Sequence, residues 1–240
     1  FSGFDLAHDT YNAISAASDG KIYYVLSSQP HDVAGQVHVY DPQADTTRFL
    51  ADLTEICGEK DKKVIAQGKS HVRFYESDGK LYFSTHVGYY EMMDGMERLP
   101  VTAPEGYGLY TGGHFLSYDL NSGKFEDLGL APHGEGVLTM TMDTVRKQIY
   151  AITWPGGYFL HYDVEAGEMK DSGPVSANGE AGRIGEDYRV LCRSIFVDPR
   201  DGLVYYSTAE GDIMCYDPEG GTIEKLEDVD LRLDYFGSYD

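Results

Sequence analysis

One phrase recurs four times along this chain and constrains its fold more than any other feature: a short apolar run that closes on Tyr-Asp. It reads Val37-His38-Val39-Tyr40-Asp41, Phe115-Leu116-Ser117-Tyr118-Asp119, Phe159-Leu160-His161-Tyr162-Asp163 and Ile213-Met214-Cys215-Tyr216-Asp217. A second phrase precedes each of these, a turn leading into a β-type run. Its four copies are Asp19-Gly20-Lys21-Ile22-Tyr23-Tyr24, Asp78-Gly79-Lys80-Leu81-Tyr82-Phe83, Lys147-Gln148-Ile149-Tyr150 and Asp201-Gly202-Leu203-Val204-Tyr205-Tyr206. Two phrases returning in fixed order mark an internal structural repeat. Each Tyr-Asp opens a polar turn such as Asp119-Leu120-Asn121-Ser122-Gly123. There Asp can bond its own backbone and Gly can take positive φ, which is hairpin chemistry.

A further strand follows each Tyr-Asp turn, over residues 47–50, 124–128, 168–170 and 222–226, and an innermost strand precedes each second phrase, over 11–16, 71–75, 137–142 and 192–197. Four antiparallel strands per unit, repeated, is the signature of β-propeller blades. No window of helical length places apolar residues at i, i+3, i+4 and i+7. The expected fold is therefore all-β, a β-propeller of four-stranded antiparallel blades in one domain over residues 1–240. Four blades are visible, at about 11–53, 69–129, 136–173 and 191–227. The tail Leu231-Arg232-Leu233-Asp234-Tyr235-Phe236 reads as the start of another strand, so the chain is expected to be incomplete at one or both ends of a six- to eight-bladed propeller.

Composition agrees with twisted strands and tight turns: 20 Tyr and 28 Gly, with 42% hydrophobic residues to build a core. A formal net charge of −21 repels phosphate backbones, so no nucleic acid is expected as a partner. No apolar run is long enough for a membrane helix, so no membrane insertion is expected. Cys57, Cys192 and Cys215 show no paired spacing.

If the strands of a blade are lettered A to D from the axis outward, the D–A and B–C connections share one face. Those are the long connections here, and they carry the reactive side chains; function concentrates on such loops. The B–C connection of the first blade carries His31. That of the second, residues 85–113, carries Tyr89 and Tyr90 and is flanked by His86 and His114. The third holds Trp154, the one Trp of the chain. Among D–A connections, Lys69 leads into His71, His133 and Glu135 precede the third blade, and Tyr188 and Arg189 precede Arg193. Register places His71 and Arg193 at equivalent starts of inner strands.

His71 and His86 are the sharpest pair, because a His near neutrality suits a general base and a second can orient it. Each also reads as a structural His at a strand end. Three imidazoles, His71, His86 and His114, could hold a divalent metal, but their spacing matches no compact motif and no cofactor is expected. Arg193, Arg189 and Lys69 suit a carboxylate, or pairing with nearby acids such as Glu186 and Asp187. Trp154, Tyr89, Tyr90 and Tyr188 suit stacking on sugar rings, or plain packing.

The Tyr-Asp-ended blades, with Lys69-Ser70-His71 opening one blade and Ser84-Thr85-His86 after its second strand, resemble the propeller polysaccharide lyases of the ulvan and rhamnose–glucuronate type. That resemblance implies β-elimination on an acidic polysaccharide or oligosaccharide in a periplasmic or secreted setting. It implies His71 or His86 as base, Arg193 as partner of the uronate carboxylate and Tyr188 as acid. Lys69, Tyr89, Tyr90, His114, His133, Glu135, Trp154 and Arg189 would then contact substrate. The rival expectation is a non-catalytic propeller that binds glycan or protein through the same face.

Overall fold

The computed structural model describes residues 2–183 and 186–231. It contains four four-stranded antiparallel sheets, each a propeller blade. The first blade is β1 (Ile14–Ala16), β2 (Ile22–Leu26), β3 (Gln36–Asp41) and β4 (Thr46–Asp52), followed by a one-turn helix, α1 (Leu53–Ile56). The second begins with β5 (Tyr75–Ser77) and β6 (Lys80–Ser84). A separate hairpin follows, β7 (Glu91–Met93) and β8 (Met96–Arg98), before β9 (His114–Asp119) and β10 (Phe125–Leu130) complete the blade in the order β5-β6-β9-β10. The third blade is β11 (Gly136–Asp143), β12 (Gln148–Trp154), β13 (Tyr158–Asp163) and β14 (Glu168–Pro174). The fourth is β15 (Ile195–Val197), β16 (Val204–Ser207), β17 (Asp212–Asp217) and β18 (Thr222–Asp230). The chain divides into two compact units, residues 1–137 and 138–240, with the boundary just inside β11. Of the tail expected to begin a further strand, residues 232–236 lie outside the described residues.

The Tyr-Asp repeat has a local cause. Each Asp carboxylate accepts backbone N–H groups from the turn that follows: Asp41 from Gln43 and Ala44, Asp119 from Asn121 and Ser122, Asp163 from Glu165 and Ala166, Asp217 from Glu219. The turn then closes through a residue of positive φ, Gly123, Gly167 and Gly221 in three blades and Asp45 in the first. These bonds satisfy donors that the ladder leaves open.

Three inner strands start later than the alternation predicts, the first of them β1 at Ile14. β5 starts at Tyr75 and β15 at Ile195, so neither His71 nor Arg193 sits on a strand. A hydroxyl from the preceding blade meets the backbone just ahead of both β5 and β15. Ser15 Oγ both donates to the Phe74 carbonyl and accepts from the Phe74 N–H, each at 3.1 Å. In the second unit Thr139 Oγ1 donates to the Arg193 carbonyl at 3.1 Å. The Phe74 N–H, once given to Ser15, is not available to the ladder. Residues 85–113 also differ from a plain loop, because Asp94 and Gly95, both at positive φ, turn β7 into β8.

Blades pack through aromatic rings. In the first unit Tyr23 of β2 lies 5.6 Å from Tyr118 and 6.5 Å from Phe74, ring centre to ring centre. In the second, Phe159 of β13 is fully buried against Tyr206 (5.2 Å) and Tyr216 (4.9 Å) of the fourth blade, with Tyr150, Ile152 and Val204 completing the cluster. Truncating such a side chain removes its burial and leaves a cavity. Phe159→Ala is expected to cost about 3–5 kcal/mol in urea unfolding. Phe196→Ala, which removes a ring that is 58% exposed, should cost less than about 1 kcal/mol. Equal losses would show that the third and fourth blades do not share this core.

Candidate functional site

The inner hairpin of the second blade is prolonged beyond its strands by one antiparallel bridge, in which Lys69 and His86 exchange backbone hydrogen bonds at 2.9 and 2.7 Å. That bridge brings the two expected imidazoles together. His71 and His86 stack with ring centres 4.1 Å apart and planes 8° apart, and Tyr11 stacks on His71 at 4.2 Å and 9°. The column runs inward, from Tyr11 (57% exposed) through half-buried His71 to His86 (1%). Its inner end rests on Gly136, where an added Cβ would fall 2.9 Å from the His86 ring. His86 Nδ1 lies 2.9 Å from the Val87 carbonyl oxygen, which makes Nδ1 the protonated nitrogen. Buried in this way, His86 supports His71 instead of meeting a ligand itself.

Lys69 is the cation beside this column. Its ammonium sits 5.0 Å from the centre of the Tyr90 ring and 5.9 Å from that of Tyr11, and 3.8 Å from Asp9 Oδ2. Burial raises the Asp9 carboxyl, but hydrogen bonds from His8 and Ser27 and the Lys69 charge outweigh it and hold the group below its ordinary range. Lys69 is therefore buried and internally compensated.

Next to this cluster an open cleft of about 570 Å³ lies between the B–C connections of the first two blades. Residues 5–8, 29–31 and 88–90 line it, together with Met92 of β7 and Glu97 of β8. Tyr89 and Tyr90 are half-buried in its wall. The His31 ring meets Tyr89 edge-on at 5.6 Å and Tyr107 perpendicularly at 4.7 Å. The N-terminal segment is held there by backbone bonds, His8 N–H to the Ser27 carbonyl and Ser27 N–H to the Asp9 carbonyl. Asp5 and His8 thus join the cleft although no sequence pattern marked them, since a segment without alternation gives no register from which to place them; Glu97 joins it from the β7–β8 hairpin.

In the second unit a different residue organises the expected set. The Glu180 carboxylate receives Trp154 Nε1–H at 3.1 Å, Tyr188 Oη–H at 3.1 Å, the Leu191 N–H at 3.1 Å, and both Arg193 nitrogens, at 2.9 and 2.7 Å. Trp154, Tyr188 and Arg193 do converge, but on a carboxylate of their own chain, and it is Glu180 instead of Glu186 or Asp187 that pairs with Arg193. Arg189 is exposed and donates to the Tyr188 carbonyl. In the first unit His133 is exposed on the turn of residues 132–134, whereas Glu135 is buried and its carbonyl accepts the Gly113 N–H. Among the described residues no group of three His, Cys, Asp or Glu side chains is gathered closely enough to hold a metal ion.

No protein-family model matches the chain, and no curated protein matches it in sequence. Solved structures are similar to it. A chain of the nidogen/laminin complex matches with a TM-score of 0.45 at 11% identity, covering 86% of this chain and 59% of that one. TolB from Acinetobacter baumannii matches at 0.49 and 14%, covering 91% and 44%. A protein from Bacteroides thetaiotaomicron VPI-5482 matches at 0.47 and 12%, covering 92% and 44%. This chain thus spans only 44% to 59% of the length of those three. Their TM-scores all fall below 0.5, and the blade assignment rests on the strand topology given above.

His114 belongs to a buried network. Its Nδ1 lies 2.9 Å from Asp127 Oδ2 and its Nε2 3.4 Å from Glu59 Oε1, while Glu59 also accepts from Gln67 Nε2 (2.9 Å) and Thr111 Oγ1 (2.6 Å). Burial alone would lower this imidazole, but the hydrogen bonds to Asp127 and then Glu59 prevail and raise it to about 9. A group raised above its unfolded value, about 6.5 for His, contributes fully below that value and ceases to contribute as pH rises through its folded value. Glu59, held low by the same network against its burial, contributes in the opposite direction and loses its share in acid. In urea unfolding, wild type should exceed His114→Gln by up to about 3 kcal/mol near pH 6, a margin that closes by about pH 10. A margin unchanged across that range would show that His114 is not a cation in the folded protein.

Proposed function

We propose that this chain is a carbohydrate-active propeller that binds glycan in the cleft between the B–C connections of its first two blades. The observation that carries this reading is the wall of the cleft, where Tyr89, Tyr90 and His31 present rings along a volume of about 570 Å³. That volume lies within the usual range for small-molecule sites, roughly 300–1,000 Å³. An aromatic face packs on the apolar hydrogens of a sugar ring, and polar groups such as Gln29 and Glu97 at the margin can bond its hydroxyls.

A second reading, β-elimination on a uronic acid as in the lyases the sequence resembles, is favoured by one observation: His71 stacked between His86 and Tyr11, with the Lys69 ammonium 5.9 Å from the Tyr11 ring centre. In that reading Lys69 faces the carboxylate and His71 removes the C5 proton; the C4–O bond breaks as the C4–C5 double bond forms, and the departing oxygen takes a proton from solvent. Arg193 is less suited to the second role, since both its nitrogens already lie on Glu180. Binding is preferred because His86 is buried and Lys69 is compensated by Asp9.

Calorimetric titration with a panel of neutral, basic and acidic oligosaccharides should find a binder, with Tyr89→Ala weakening it roughly ten-fold. A panel without a binder rejects the glycan reading. Should uronate oligosaccharides instead yield a new ultraviolet absorbance from an unsaturated product, abolished in His71→Ala, the chain is a lyase.

A further inference from the structure

The charge around the cleft says which glycans it can take, an inference that rests on the glycan-binding reading. Among the described residues lining the cleft there are two carboxylates, Asp5 and Glu97, and two imidazoles, His8 and His31, and neither Lys nor Arg. Both carboxylates are on exposed residues. The cation close by, Lys69, is withdrawn from solvent beside Tyr90 and has Asp9 at 3.8 Å. The whole chain adds a field of the same sign, with a net charge of −21. A uronate entering this cleft would lose hydration and meet two carboxylates, with no guanidinium or ammonium among the lining residues in return. A glycan bearing free amines would gain on each count: charge-assisted hydrogen bonds to Asp5 and Glu97, attraction to the ring of Tyr89, and a favourable long-range field.

We infer that the cleft between the first two blades selects basic glycans, oligosaccharides of amino sugars whose nitrogen is free and protonated. The rings supply stacking that any hexose would receive; the carboxylates supply the discrimination. N-acetylation removes the charge from the nitrogen and leaves the stacking in place, so it isolates the electrostatic part. Because both carboxylates are solvated, their share is moderate and screened by salt.

The test is calorimetry on the full chain with three hexasaccharides: glucosamine, N-acetylglucosamine and galacturonate. The glucosamine oligomer should bind at least about five-fold more tightly than its acetylated form, and the galacturonate oligomer weakest of all. Glu97→Gln and Asp5→Asn should each shrink that preference, as should added salt, by weakening the glucosamine oligomer more than its acetylated form. Tyr89→Ala should weaken both glucosamine-based oligomers. Equal affinity for acetylated and free forms, or preference for galacturonate, overturns the inference and leaves the glycan-binding reading standing. Tight binding of the amino sugar that survives Tyr89→Ala also overturns it, since the attraction would then be diffuse. If none of the three oligomers binds but oligolysine does, the cleft is a basic-peptide site, and the glycan reading falls with the inference.

Discussion

Each blade buries one face against a neighbour through aromatic rings, and this contact lets connections of very different length ride on the same four-strand frame. Phe159 between Tyr206 and Tyr216, and Tyr23 against Tyr118, fill that contact in the two units. Where rings interlock in this way, a strand cannot slip by one residue without turning its apolar side to water. The turns are then fixed from the other end. An Asp carboxylate beside the last ring accepts the N–H groups of the outer turn, so packing and turn are specified by adjacent residues, Tyr and Asp.

That adjacency is why the blades are legible from sequence. Tyr-Asp joins a buried position to a turn signal, and four copies in order leave little room for another architecture. The hairpin at Met93-Asp94-Gly95-Met96 was also readable in principle, since Asp-Gly between apolar residues is a strong hairpin signal. The ends of the inner strands were not. Whether the ladder continues past Phe74 depends on Ser15, 59 residues away in sequence, and no local pattern reports a hydroxyl arriving from another blade. A related contact, Thr139 Oγ1 on the Arg193 carbonyl, stands just ahead of the inner strand of the fourth blade. In both blades the residues ahead of the inner strand are those that carry His71 and Arg193.

The candidate site was legible to a similar depth. The sequence placed the B–C connections on a common face, and Tyr89, Tyr90 and His31 do line one cleft there. The pairing of His71 with His86 was also readable, because both flank one hairpin. What could not be read was the destination of the cations. Glu59 and Glu180 are both buried, and a buried carboxylate is costly unless its lone pairs are met by donors. Each therefore draws in groups that in sequence look available for a ligand: His114 toward Glu59, and Arg193, Tyr188 and Trp154 toward Glu180. Sequence spacing shows that an acid and a base are near each other; it does not show which carboxylate lies inside.

The consequence for binding follows from where the compensated charges end. Around the first unit's cleft, Lys69 is drawn inward onto Asp9 and the tyrosine rings, while Asp5 and Glu97 remain in water. An ion pair acts as nearly neutral only at distances well beyond its separation, here 3.8 Å, so Lys69 adds less to the long-range field than an unpaired cation would. The solvated carboxylates are not cancelled, and they set its sign together with a chain of net charge −21. Folding the cation into the core thus does more than stabilise the hairpin. It leaves Asp5 and Glu97 as the solvated charges beside the aromatic wall, so under the proposed glycan-binding reading selectivity would be decided by groups that the packing left outside.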